Sequence, residues 1–281
     1  MLQSAAANNW RGRWHERVIH SKRSWFVASA VVCCAGPSML LIAQDFVTFK
    51  DRPSGDLFVA SRAAVARGEG SIKNLRALVF RGRARTAQDD GSQAESLIVI
   101  KVLLPDAYLR TDTFPDRVMT TGFSGNRLLT AIEQGGRSSA PPASMTEPLL
   151  KSERARFTRL LLGTSTALSP VLRLIGRSAP GLGEMHRPDQ GSANEARLIE
   201  LSGPDGFYTR FVVDAAKLPA RLEYRAAKDE IWTTTFSDRR AVGGLLMPYR
   251  IVTTGRGSVR EDLRLDEILV NPELAKGDFG R

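Results

Sequence analysis

Apolar and polar residues alternate along most of the chain, and the period changes in only a few places. In 74–86, NLRALVFRGRART, Leu78, Phe80 and Ala84 fall on one face and Arg81, Arg83 and Arg85 on the other. That period of two is what a half-buried strand requires. Residues 95–105 and 107–114 continue it on either side of Pro105, and 119–136 predicts a hairpin turning at Ser124-Gly125-Asn126. Residues 136–146 form a polar, proline-rich break. Strands are predicted again at 195–203 and 207–215 around the turn GPDG (203–206), and at 218–227 and 230–240 around Lys228-Asp229. Two more follow at 245–255 and 258–270, and NPELAKGDF reads as a capped end.

Helical spacing interrupts this pattern. Leu57, Ala60, Ala64 and Val65 predict a helix over 56–67, with Ser54 as its cap and Gly68 and Gly70 as its stop. Residues 147–163 place Leu149, Leu150, Phe157, Leu160 and Leu161 on one stripe, with Lys151, Arg154 and Arg159 off it. A second helix is predicted over 165–178, restarted around Pro170, with a loop at 179–195. Strands with one greasy face and short loops must wrap around something apolar, and only these helical segments supply it. Gly243-Gly244 followed by Pro248 reads as a sharp bend at the start of a strand, suited to a curved sheet that does not close.

The N-terminus obeys a different rule. Arg11, Arg13, Arg17, Lys22 and Arg23 stand against one acid, Glu16, and residues 25–43 then carry no charge. A basic segment followed by an apolar run is the pattern of a secretory signal. The run is also nearly long enough to span a bilayer, so an uncleaved anchor is the alternative, though Gly36-Pro37 favours a signal whose helix ends there. Residues 1–44 are therefore read as a signal peptide or membrane anchor containing an apolar helix, and 45–281 as the folded domain. Cys33 and Cys34 both lie in this run, and no small residue precedes Cys33 as a lipoprotein box would need.

Without residues 1–44 the chain loses five basic groups and one acid from the 40 and 30 of the whole, and keeps a net charge of +6. It has no dense basic run, so nucleic acid is not an expected partner. It also has no cysteine, and so neither a disulfide nor a thiolate metal site. His186 is the one histidine left, in a loop, which builds neither a catalytic triad nor a multi-histidine metal site. Asp89-Asp90 and Glu261-Asp262 read as solvated charges. The glycines of GEG and GRG lack phosphate-loop spacing. No enzymatic activity, metal or cofactor is expected.

The C-terminal run VVDAAKLPARLEY, then AVGGLLMPYRI, then LDEILVNPEL, together with IKNLRALVFRGRAR, resembles the LolA/LolB-like superfamily of periplasmic lipoprotein carriers and outer-membrane lipoprotein-sorting proteins. The resemblance spans 56–279. It implies an α+β fold, a strongly curved, incomplete antiparallel barrel whose helices cover the concave side, with 147–178 as a helical lid. In that family the concave surface holds acyl chains. Leu78, Phe80, Ile98, Ile100, Phe211, Val213, Leu222, Tyr224 and Trp232 would then face the cavity, with Leu149, Leu150, Phe157, Leu160 and Leu161 on the lid.

Periodicity alone also allows that stripe to be plain core. Two function classes remain. One is a monomeric carrier in the periplasm or cell envelope that shelters a lipid or acylated lipoprotein. The other is an envelope interaction or stress-sensing module with a filled core, whose footprint on a partner protein would be the face bearing Arg81, Arg83 and Arg85.

Overall fold

The strands predicted from alternation join, with three that alternation does not predict, edge to edge into one sheet of fourteen described strands in a computed structural model. The structure describes residues 47–67, 72–88, 90–166, 174–178, 197–203, 206–226 and 230–279. In chain order the elements are β1 (Val47–Phe49), α1 (Arg52–Val65), β2 (Ala77–Ala87), β3 (Gln93–Leu103), β4 (Ala107–Thr113), β5 (Arg117–Ser124), β6 (Arg127–Gln134), β7 (Arg137–Ser139), α2 (Thr146–Gly163), β8 (Leu174–Ser178), β9 (Arg197–Ser202), β10 (Tyr208–Val213), β11 (Pro219–Arg225), β12 (Ile231–Val242), β13 (Leu245–Gly255) and β14 (Ser258–Val270). Across the sheet they run β1-β8-β9-β10-β11-β12-β13-β14-β2-β3-β4-β5-β6-β7. Every neighbouring pair is antiparallel except β1 with β8. Among the described residues β1 and β7 each pair on one side only, so the sheet stays open.

The sheet also curls. Phe157 of α2 meets Phe123 of β5 with ring centroids 5.4 Å apart. Two residues later, the Arg159 guanidinium lies 4.1 Å from the ring centre of Tyr224 in β11. In a flat sheet β11 and β5 would be seven strand spacings of about 4.8 Å apart, roughly 34 Å. Two side chains only two residues apart on one helix cannot bridge that distance, so the strands bend round α2. The central core fills the concave side with Leu78, Phe80, Ile98, Phe211 and Leu222, each almost wholly excluded from solvent. Helix α1 adds Phe58, whose ring packs against Phe49 and Phe211.

Several predicted features change. Helix α1 begins at Arg52, and its cap is Asp51, whose carboxylate accepts the Ser54 N–H at 2.9 Å. Ser54 is a buried residue inside the helix. An aspartate cap with a proline two residues on, in the first turn, suits a helix start. Of segment 165–178, predicted as a second helix, the described residues are not helical, and 167–173 lie outside the described residues. Ser165 turns left-handed at φ 52°, and the N–H groups of Ser165 and Thr166 donate back to Leu162 and Leu161. This double closure terminates a helix. Beyond it Leu174–Ser178 runs as strand β8, parallel to β1. The break at 136–146 opens with the short edge strand β7. Strand β1 carries no alternation long enough to predict.

The Gly243-Gly244 pair is not a bend in the sheet. It is the two-residue turn joining β12 to β13, with φ of 54° and 78°. Both central residues at positive φ are what this hairpin turn demands. A Cβ on Gly243 would come within 2.5 Å of the Val270 side chain, so the turn tip also packs closely on the end of β14. Pro248 is the fourth residue of β13, in a stretch that pairs with β12 while the pairing with β14 starts only at Arg250. A residue without an N–H is tolerated where one side of a strand is unpaired.

Residues 1–46, with Cys33, Cys34 and the apolar run, lie outside the described residues, as do Gly68, Gly70, His186, Lys228-Asp229 and the centre of the 203–206 turn.

Candidate ligand cavity

Helix α2 does not fill the concave side evenly. Its inner stripe seats Phe157 against Tyr108 and Phe123, with centroid distances of 5.9 and 5.4 Å, and buries Leu161 and Leu162 completely. At the C-terminal end Gly163 lets the helix rest on Phe236, since a Cβ there would sit inside the ring. Beside this contact a cavity of ≈ 990 Å³ opens between α2 and the inner face of the sheet. Its apolar wall includes Ile100, Leu160, Phe207, Tyr224, Trp232 and Ile251. Concave spaces of about 300–1,000 Å³ are the size that takes small ligands.

The charged part of the lining is almost all cationic. Lys151, Arg154, Arg156 and Arg159 come from α2, Arg225 from β11, Arg260 from β14 and Arg110 from β4, against Glu261 as the one lining acid among the described residues. Arg110, Arg156 and Arg260 pair with described carboxylates. Arg110, only 5% exposed, grips Asp112 through Nε at 2.6 Å and Nη2 at 2.7 Å, and reaches Glu261 through Nη1 at 2.8 Å. Burial alone would lower this guanidinium; Glu261 and Asp112 outweigh burial and hold it well above its ordinary value. Arg156 lies 3.3 Å from Glu153, a buried acid of α2. Arg260 shares Glu230 with Arg256, at 3.9 and 3.2 Å. Arg154 donates instead to neutral groups, the Gly125 carbonyl at 3.0 Å and Asn126 Oδ1 at 2.6 Å, which ties α2 to the β5–β6 turn.

Arg159 differs from all of these. It has no carboxylate partner and no hydrogen bond among the described residues, and its guanidinium lies over the Tyr224 ring. Burial pushes its pKa down from the ordinary arginine value, and the neighbouring Tyr224 only partly offsets that. It remains charged at neutral pH. The buried Nε1 of Trp232 likewise has no hydrogen-bond partner among the described residues.

Of the predicted site residues, Ile100, Leu160, Tyr224 and Trp232 line the cavity. Leu78, Phe80, Ile98, Phe157, Leu161, Phe211, Val213 and Leu222 belong to the packed core, and Leu149 and Leu150 are half-buried on α2. Sequence reasoning missed the cationic lining. Two signals carried it. Arg110 stands two residues after Tyr108, on the core face of its strand, where a charge is out of place. Lys151, Ala155 and Arg159 repeat at a spacing of four along a second stripe of α2.

The pair Glu261-Asp262 is not solvated either. Glu261 holds Arg110, and Asp262 accepts from Arg250 at 3.1 and 3.0 Å. On the outer sheet face Arg81 pairs with Glu267 at 2.8 Å and Arg85 with Glu95 at 2.5 Å. That face is a set of cross-strand ion pairs, each of modest worth. Among the described residues no three His, Cys, Asp or Glu side chains are grouped so as to hold a metal ion.

No protein-family model and no curated protein matches the sequence. Solved structures do. A LolA superfamily protein of Nitrosomonas europaea superposes with a TM-score of 0.50 at 12% identity, covering 81% of this chain and 97% of its own. A putative outer membrane lipoprotein-sorting protein domain from Vibrio parahaemolyticus gives 0.47 at 13% identity, covering 79% and 94%. MucB gives 0.22 at 12% identity, covering 83% and 64%. An open antiparallel sheet curled round a covering helix, aligned over nearly the whole of the Nitrosomonas protein, gives this chain the LolA-like fold.

Proposed function

We propose that this protein is a non-catalytic carrier of the cell envelope that shelters the acyl chain of a lipid or lipoprotein between its sheet and α2. The observation that carries the reading is the ≈ 990 Å³ cavity with its wall of Ile100, Leu160, Phe207, Trp232 and Ile251. That cavity favours a carrier over an interaction module with a filled core. Transfer of an alkyl chain into such a wall contributes about 0.8 kcal/mol per methylene, so a chain is held without any polar motif. The LolA-like fold supports the same reading. The basic N-terminal segment and charge-free run at 25–43 would export the chain or tether it to the inner membrane. The carrier would act as a monomer, without a cofactor.

The test is extraction of the full-length protein, purified from lysate that contains membranes, followed by mass spectrometry of the extract and of the intact complex. A lipid or fatty acid retained near one per protein is the expected result. A clean apo mass, with no uptake of added fatty acid, would leave the filled-core module standing.

A further inference from the structure

We infer that the cavity is built for an anionic amphiphile: it takes an apolar chain along its wall and closes on a carboxylate or phosphate head with Arg159. The inference rests on the carrier reading and narrows its ligand class.

An apolar chain alone leaves the cavity's charges unexplained. A cation drawn partly out of water, as half-buried Arg159 is, costs free energy unless something pairs with it. Arg110 meets that requirement twice over, with Asp112 and Glu261. Arg156 and Arg260 each have an acid nearby, Glu153 and Glu230. Arg159 has only the face of Tyr224, at 4.1 Å. Stacking engages the face of a guanidinium and fixes its plane, while its N–H edges stay available as donors. Those edges donate to no described group, and the residue lines the cavity. A planar fork with free N–H groups is the arrangement that recognises carboxylate and phosphate.

The surroundings add to this. Lys151 lies two turns before Arg159 on the same stripe of α2, and Arg260 faces the cavity from β14. The field at the cavity is therefore positive from more than one element. The acids present are engaged by arginines already, so a ligand's negative charge meets no uncompensated carboxylate on the cavity lining among the described residues. The apolar wall starts beside Arg159, with Leu160 next to it on α2 and Tyr224 and Trp232 opposite. Head and chain positions are thus contiguous.

Three probes with one chemistry each separate the possibilities in calorimetric titrations of the full chain: dodecanoate, with head and chain; dodecanol, with the chain alone; and acetate, with the head alone. Dodecanoate is expected to bind about tenfold or more tighter than dodecanol, the effect of a hydrogen-bonded charge, and acetate is expected not to bind measurably. In Arg159→Gln the dodecanoate advantage should disappear with dodecanol affinity unchanged, and Arg159→Lys should restore part of it.

Equal binding of dodecanoate and dodecanol by the unmodified protein would overturn this inference and leave the carrier reading intact. Binding of acetate as tight as that of dodecanoate would overturn it in favour of a site for small anions. Binding of none of the three would overturn the carrier reading and this inference together. The comparison of ligands on the unmodified protein decides the matter even if Arg159→Gln fails to fold.

Discussion

One helix covers two regions of one sheet in opposite ways. Over β5, α2 packs Phe157 against Phe123, with Tyr108 of β4 beside it, and buries Leu161 completely. Over β11 and β12 the same helix presents Arg159 and Leu160 to a ≈ 990 Å³ cavity walled by Tyr224 and Trp232. The dry region fixes the helix to the sheet. The wet region is then free to hold space open, because the helix is anchored elsewhere. Residues adjacent in sequence thus serve stability and binding separately, and substitutions can tell the two apart.

The largest effect belongs on the dry side. Phe157→Ala removes a fully buried ring and should cost about 3–5 kcal/mol in a denaturant melt. Leu160→Ala, on the cavity side, should cost only about 1–2 kcal/mol, because it enlarges a space that already exists. Equal losses would erase the distinction between the regions. Next comes the ion cluster that joins them. Arg110→Met strands Asp112 and Glu261 against the core and should cost about 3 kcal/mol, somewhat less than a fully buried pair because Glu261 keeps 25% of its side chain exposed. The double change Arg110→Met with Glu261→Gln should recover part of that loss.

A smaller effect is expected at the β12–β13 turn. Gly243→Val places a branched side chain at φ 54° and against Val270, for about 2 kcal/mol. This site is far from Arg159 in sequence and packs on β14, so dodecanoate affinity per folded molecule should not move. The smallest effect is an acid limb of stability. Burial raises the Asp262 carboxyl and Arg250 and Arg264 more than offset it, so its folded pKa lies below the ordinary carboxylate value. A depressed folded pKa contributes stability that is complete above about pH 4 and is lost as pH falls through the folded value. Asp262→Asn should flatten that limb of a pH series of thermal melts.

Much of this architecture was legible because alternation is a local signal. Leu78, Phe80, Ile98 and Ile100 announce their face by position alone, and so do Phe157 and Leu161 on their helix. The edge strands were not legible. Val47–Phe49 and Arg137–Ser139 are too short to show a period, and β8 lies in a stretch whose leucines fit a helix equally well. The Gly243-Gly244 pair shows why a residue type needs its register. Two glycines fit a bend or a hairpin, and only the pairing of Val242 with Leu245 decides between them.

The cavity was legible only in part. Ile100, Leu160, Tyr224 and Trp232 were expected to face inward, but inward residues line a hole or a core indistinguishably. The cationic lining depends on which strands curl toward α2. Arg110 and Glu261 are 151 positions apart in the chain, and no pattern in the sequence joins them.

The central claim is that the space beside α2 holds an acyl chain, and it is tested most directly by photocrosslinking. A fatty acid carrying a diazirine along its chain would be bound to the full-length protein, irradiated and mapped by peptide mass spectrometry. The account predicts adducts on the cavity wall, at Trp232, Tyr224, Leu160 and their neighbours, suppressed by excess unlabelled dodecanoate. Adducts confined to the outer sheet face around Arg81 and Arg85, or no competable adduct at all, would contradict it.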